Sequence, residues 1–285
     1  MNSYLGRFAP SPTGSLHFGS LFAAVISYLE ARSHRGKWLV RIEDIDPLRE
    51  QAGSQQAILD TLSAHGLEWD EVPRLQSSQS TLYEQTLKLF ASKKLSYACP
   101  CSRKQLLEQN GLHTKICQNG LASAPYAIKF KTPKQTYTWQ DGIQGTLSQV
   151  LNEDFVLKRK EGFYAYQLAV VCDDISQGIT HVVRGYDLLT STPMQLALYD
   201  ALEVKPPVYS HFPVLENSHG QKLSKQNFAD PVDDHQALDN LLAIFRLLNI
   251  SLSPAPRSVQ EALSRALSAW NIDLVPAKKS INLTN

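Results

Sequence analysis

"YLGRFAPSPTGSLHFGSLFAAVISYLEARSHRGKWLVRIEDID" (residues 4–46) decides the fold. YLGRFAP (4–10) reads as a short strand. PSPTG (10–14) is a turn, in which two prolines fix the backbone and Gly14 relaxes it. LFAAVISYLEARSHR (21–35) has the length and apolar spacing of a helix. KWLVRIEDID (37–46) is apolar and β-branched until its acids begin, and reads as a second strand. Strand, glycine turn, helix and strand within about forty residues make a βαβ unit, and therefore a parallel sheet.

Outside this unit the composition sets bounds. The 285 residues suffice for one large domain with insertions, or for two domains. Hydrophobic residues are 43% and charged residues 19%, an ordinary globular balance. No apolar run reaches the ~20 residues of a membrane helix. MNSYLGRFAP lacks the basic-then-apolar layout of a secretory signal. A cytoplasmic protein without a membrane partner is expected. The net charge of +1 means that a nucleic acid would have to be held by a local patch. Cysteines stand at 99, 101, 117 and 172. Three of them crowd together, which in a cytoplasmic chain suggests a metal before a disulfide.

Two further helices are expected at 51–66 and 80–94, and small strands and loops over 121–160. YAYQLAVVCDDISQGITHVVRG (164–185) reads as a helix or strand ending in the acidic pair, then a strand. Residues 191–202 and 233–250 have helical spacing. HFPVLENSHGQKLSKQ (211–226) reads as a strand, a glycine turn and a basic loop. Ser258 and Glu261 form a capping box that opens another helix. The ending INLTN is expected to fray.

SLHFGS (15–20) and KLSKQ (222–226) belong together. A glycine turn feeding a helix N-terminus offers backbone N–H groups and the positive dipole end to an anion. His17 can donate to a phosphate oxygen, and Gly19 lets a flat group approach the backbone. Lys222 and Lys225 can neutralise a leaving pyrophosphate. Alone, an H-x-G turn is more often structural, and a K-x-S-K loop is more often a solvated basic loop. Their order, and the PSPTG before them, make the pair resemble the H-I-G-H and K-M-S-K-S signatures of class I aminoacyl-tRNA synthetases.

RFAPSPTGSLHFGS, RIEDID, GLEWDE, QSS, AVVCDDISQGITHVVRG and KLSKQ resemble the glutamyl subgroup in order, from residue 4 to about 230. Ser20 replaces the last His of the first signature, while Leu223 and Gln226 replace a Met and a Ser of the second. Only about sixty residues follow Gln226, too few for a large anticodon-binding region. The chain therefore resembles the glutamyl-Q tRNA(Asp) synthetase family. That resemblance implies an α/β fold with a class I Rossmann-type parallel sheet, an inserted zinc-containing subdomain and a short C-terminal helical region. Its expected divisions are 1–95 and 161–230 for the two halves of the Rossmann-type domain, 96–160 for the acceptor-type insert, and 231–285 for the helical end. It implies a monomer that activates L-glutamate with ATP and Mg²⁺ without tRNA. The product would be transferred to the queuosine base of tRNA(Asp). A short glutamyl-tRNA synthetase charging a 3′ end, or a non-catalytic paralogue binding tRNA or glutamate, are the alternatives.

Glutamate needs an arginine for carboxylate, an anion for its ammonium, and a wall that measures its length. Arg7 and Arg184 stand at expected strand ends, Glu43 can hold the ammonium, and Tyr166 can close the pocket. These four, with Phe8, Ala9, Pro10 and Ser11, match the family's glutamate positions. The resemblance places ATP on Pro10, Ser11, Thr13, Gly14, His17, Gly19, Ser20, Lys222 and Lys225. His17, Lys222 and Lys225 are the catalytic candidates. As plainer readings, Arg41 and Glu43 could pair with surface charges and Asp173–Asp174 could be a helix end. Tyr164 rivals Tyr166, and strand alternation would put both on one face.

CPCSRKQLLEQNGLHTKIC (99–117) has the form C-x-C-x11-H-x3-C. Thiolate and imidazole suit tetrahedral Zn²⁺, and H-x3-C puts both groups on one helical face. Cys99, Cys101, His113 and Cys117 are the expected ligands of one structural zinc. In the family the third position is often Tyr, and His113 is a better ligand. Cys172, in an apolar run, is expected in the core.

Overall fold

The computed structural model describes residues 4–108, 117, 125–218, 220–223 and 230–283. His113 and Lys225, both named above, lie outside the described residues. Strand β1 (Leu5–Phe8) is followed by helix α1 (Phe18–Ser33) and β2 (Lys37–Ile42), and β1 and β2 pair in parallel. The βαβ unit is therefore as the sequence reads. Helix α1 starts three residues earlier than its apolar spacing suggests, because His17 caps it.

The chain continues with α2 (Ser54–Ala64), β3 (Arg74–Leu75) and α3 (Ser80–Ser92). β3 extends the sheet in the order β1-β2-β3. Next come β4 (Ser96–Cys99), α4 (Arg103–Glu108), β5 (Ala127–Phe130), β6 (Gln135–Asp141), β7 (Gly145–Leu151) and β8 (Phe155–Lys158). β4, β5 and β8 form an antiparallel sheet, and β6 and β7 form a hairpin. Residues 164–185 then resolve into helix α5 (Tyr166–Gln177) and strand β9 (His181–Gly185). Helix α6 (Thr192–Leu202), β10 (Val208–Phe212) and β11 (Val214–Glu216) follow. Helices α7 (Ala237–Leu247) and α8 (Val259–Ala269) precede β12 (Ser280–Asn282). Ser258 Oγ caps α8 by accepting from Glu261 N–H at 3.2 Å, as the capping box requires.

The fraying expected at the C-terminus does not hold for its described part. β12 pairs in parallel with β11, and Leu283 N–H bonds Glu216 C=O at 2.8 Å. A partner strand nearly seventy residues upstream satisfies the backbone that local sequence leaves open.

β9 and β10 form a second parallel pair. It meets the first at β1, where Thr180 N–H bonds Leu5 C=O at 2.9 Å. The chain thus builds outward from β1 in one direction, then returns on its other side. Ligands bind at such a switch point, beyond the carboxyl ends of the strands. Arg7 and Phe8 end β1 there, and Arg184 and Gly185 end β9.

The two faces of the sheet are sorted by alternation. Trp38, Val40 and Ile42 enter the core beneath α1, α7 and α8. Leu39 enters the core beneath α3, α5 and α6. Arg7 pairs in register with Leu39, so Arg7 and Arg41 share this second face. Among the described residues, no helix is long and apolar enough to cross a membrane.

Candidate active site

A cavity of about 330 Å³ opens at the switch point. Of the eight residues expected to hold glutamate, seven line it: Arg7, Phe8, Ala9, Ser11, Glu43, Tyr166 and Arg184. Pro10 stands behind them, and its C=O accepts from Glu43 N–H at 2.9 Å, which fixes Glu43 against the first loop. Arg49, Leu188 and Phe212 also line the cavity and were not singled out by sequence. Arg49, just past the acids of RIEDID, could have been noted as a cation facing them; its Nε donates to Asp46 at 2.9 Å.

Two guanidiniums buried on one face of a sheet need counter-charge. Helix α5 supplies it. Asp174 accepts from Arg7 Nε at 3.2 Å and from Arg7 Nη2 at 3.4 Å. Arg41 Nη2 lies 2.7 Å from the same carboxylate, off the hydrogen-bonding line, so that contact is ionic. The acidic pair is buried inside α5 and does not end it, and Arg41 is fully buried rather than paired at the surface. Burial opposes the Asp174 charge, yet Arg41 and Arg7 outweigh it and hold the carboxyl below its usual range. Arg7 keeps its charge by the same balance, and its Nη1 has no hydrogen bond among the described residues.

Glu43 is the reverse case. Burial pushes its carboxyl up to about 7, against the pull of Arg41 and Arg7. Its Oε1 is buried and accepts no hydrogen bond among the described residues, and Arg41 Nη2 is 3.8 Å away. A carboxylate held this way is short of a close cationic partner, and a ligand ammonium would supply one.

Arg184 is anchored from behind by three bonds: to His211 Nε2 at 3.0 Å, Gln195 Oε1 at 2.7 Å and Thr192 Oγ1 at 2.9 Å. Its two remaining bonds are long and reach cavity residues, Tyr166 Oη at 3.4 Å and Leu188 C=O at 3.3 Å. A carboxylate entering the cavity could take over these two positions. Tyr164 is not equivalent to Tyr166. Tyr166 opens α5, whereas Tyr164 precedes the helix and donates to Glu84 at 2.8 Å, so the same-face expectation fails.

The described start of KLSKQ, Lys222–Leu223, meets SLHFGS in space. A Cβ on Gly19 would lie 3.2 Å from the His17 ring and 3.2 Å from Leu223 C=O, so the close approach that glycine permits is used here by the loop. Gly14 takes a φ of +127°, which favours glycine. His17 Nδ1 accepts from Ser20 N–H at 3.2 Å, which leaves the ring proton on Nε2. That nitrogen is 2.9 Å from Ser20 Oγ. The Ser20 amide is thus already engaged, and His17 is at least a helix cap. Lys222 Nζ is 2.6 Å from Asp187.

Cys99, Cys101 and Cys117 are buried, reduced, and have sulfurs within 4.8 Å of one another. Cys101 and Cys117 are 3.4 Å apart, and Cys117 and Cys99 3.8 Å. Thiolates at about 2.3 Å from a tetrahedral Zn²⁺ sit about 3.8 Å apart, so the spacing fits a metal. Burial pushes the Cys99 thiol up to about 12, and a cation would reverse that cost. Cys172 is core, as expected, and donates to Thr86 Oγ1 at 3.3 Å.

A parallel sheet with its switch point, and a cavity there lined by Arg7, Glu43 and Arg184, define a class of fold. Residues 5–250 match the family model for tRNA synthetases class I (E and Q), catalytic domain, and the chain belongs to that family. Along its length it is similar to glutamyl-Q tRNA(Asp) synthetases. It is 44% identical to that of Pseudomonas syringae pv. tomato, over 98% of this chain and 97% of the relative. It is 45% identical to that of Neisseria meningitidis serogroup C, over 96% and 97%. A glutamate tRNA ligase from Elizabethkingia meningosepticum, solved in complex with its amino acid, shares the fold with a TM-score of 0.79. That structure is 24% identical, and the match covers 99% of this chain and 67% of that one.

Proposed function

We propose that this chain activates L-glutamate with ATP, without tRNA, and transfers the glutamyl group to the queuosine base of tRNA(Asp). The observation that carries the amino-acid half is the buried Glu43 oxygen, which accepts no hydrogen bond among the described residues and is set in one cavity with Arg7 and Arg184. Glu43 would take the ammonium, and the two arginines the carboxylates. The full-length similarity to glutamyl-Q tRNA(Asp) synthetases supports the acceptor half.

In activation, the α-carboxylate oxygen attacks the α-phosphorus of ATP. A carbon-oxygen-phosphorus anhydride forms, and the bond to pyrophosphate breaks. No protein nucleophile is needed, so the enzyme positions the reactants and stabilises charge. His17 Nε2–H and the first turn of α1 would face the α-phosphate, and Lys222 and Lys225 the pyrophosphate. Mg²⁺ accompanying ATP supplies further charge neutralisation. In transfer, a hydroxyl of the queuosine cyclopentenediol attacks the acyl carbon, AMP leaves, and the hydroxyl proton passes to its phosphate. Cys99, Cys101, His113 and Cys117 would hold one structural zinc.

The test is pyrophosphate exchange into ATP with glutamate and no tRNA, followed by transfer of labelled glutamate to tRNA(Asp). Label should appear on tRNA carrying queuosine after its 3′ adenosine is removed, and not on tRNA lacking queuosine. Label that depends on the 3′ adenosine would mean 3′ charging. No exchange would mean a binding protein.

A further inference from the structure

Behind Arg184 lies a buried chain of groups that does not touch the cavity. Arg184 on β9 and His211 on β10 are register partners, so their side chains share a face. His211 is fully buried, and Asp141 at the end of β6 nearly so. A guanidinium only donates, so the 3.0 Å contact of Arg184 Nε with His211 Nε2 requires that nitrogen to be bare. The ring proton must then sit on Nδ1, where it is donated to Asp141 Oδ2. The Thr192 hydroxyl, which accepts from Arg184, lies 3.3 Å from the same bare nitrogen.

The other Asp141 oxygen cannot turn away. Oδ1 accepts from the backbone N–H groups of Ile143 at 3.1 Å, Gln144 at 3.0 Å and His211 at 3.0 Å. The carboxylate therefore has one orientation, and that orientation sets the tautomer of His211. We propose that Asp141 and His211 are positioning residues that act as a tautomer lock: Asp141 keeps the proton on Nδ1, and the bare Nε2 seats Arg184 with its outer edge toward the amino-acid carboxylate. The proposal rests on the glutamate-pocket reading. It adds that the pocket is set partly by a residue of the β6–β7 hairpin, 43 positions before Arg184 in the chain.

Asp141→Asn tests it. Three N–H groups pin the amide oxygen at the Oδ1 position, so the NH₂ must face His211 Nδ1. The ring must then carry its proton on Nε2, donor against donor with Arg184. The glutamate KM in pyrophosphate exchange should rise about 10- to 100-fold, with the ATP KM within about twofold. Side-chain ¹⁵N spectra without substrate should show His211 as the Nδ1–H tautomer in the parent protein and as Nε2–H in Asp141→Asn. As a second pair, His211→Gln keeps an acceptor near Nε2, while His211→Asn keeps only the donor toward Asp141. The Gln variant should lie closer to the parent in glutamate KM, at matched folded fraction. An unchanged glutamate KM in Asp141→Asn, an equal rise in both KM values, or an Nε2–H tautomer in the parent would overturn the proposal. Absence of exchange in the parent would count against the activation reading instead, and the substrate-free ¹⁵N result would then decide this one.

Discussion

Replacing Glu43 by Gln keeps the shape of the side chain and removes its charge. In the folded protein the carboxyl is pushed from the ordinary 4.5 to about 7, chiefly by burial. A folded value above the unfolded one means that the unfolded chain ionises first as pH rises. The native state is therefore penalised progressively from about pH 4.5, and fully above about 7. The shift corresponds to about 3 kcal/mol. The side chain is only 10% exposed, so solvent screening does little to reduce it. Glu43→Gln should thus raise Tm by several degrees at pH 8 and much less at pH 5. With Glu43 as the proposed ammonium site, the same change would leave the glutamate ammonium without its partner in a desolvated site, a loss of about 3–5 kcal/mol. The glutamate KM should rise by a factor on the order of 10²–10³. With Glu43 in its proposed role, ammonium binding in the parent protein would require the ionised carboxylate. Its glutamate KM should climb about tenfold per pH unit below about 7, and the Gln variant should lose this dependence. Thermal denaturation and exchange kinetics, run at both pH values, check the pair of effects. A variant that keeps the parent's glutamate KM, or loses stability equally at both pH values, would refute the reasoning.

Arg7→Ala should raise the glutamate KM about 100-fold or more while sparing ATP, because Asp174 retains Arg41 and the fold survives; equal damage to both substrates in exchange assays would mark Arg7 as structural. His17→Asn separates capping from chemistry: Asn caps as well as any residue, so Tm should hold, while activation should fall on the order of 10²–10³ with the Nε2 donor gone. Retained exchange would make His17 a cap alone. Lys225→Ala should slow adenylate formation by a similar factor, with Lys225→Arg recovering only part and transfer from preformed adenylate nearly spared; normal exchange would remove the loop from the mechanism. Elemental analysis should find one zinc per chain, and Cys117→Ser should lose it; unchanged metal content would mean a different ligand set.

The sequence by itself determined the βαβ start, the Ser258–Glu261 capping box that opens α8, and the residue types of the pocket. These are local properties, set by hydrophobic period, turn chemistry and short motifs. It also brought SLHFGS and KLSKQ to notice as a pair, though not their contact across Gly19 and Leu223. Only the tertiary structure decided where charge is balanced. Arg41 reads as a surface cation until β1–β2 register puts it on the face that meets Asp173 and Asp174. Tyr166 is separated from Tyr164 by the start of a helix that the sequence left open between helix and strand. Asp141 and His211, and the pairing of β12 with β11, gave no local signal, since each depends on a partner at least 64 residues away. Period and propensity act over one or two turns of chain, whereas burial, register and counter-charge arise only when distant strands are brought side by side.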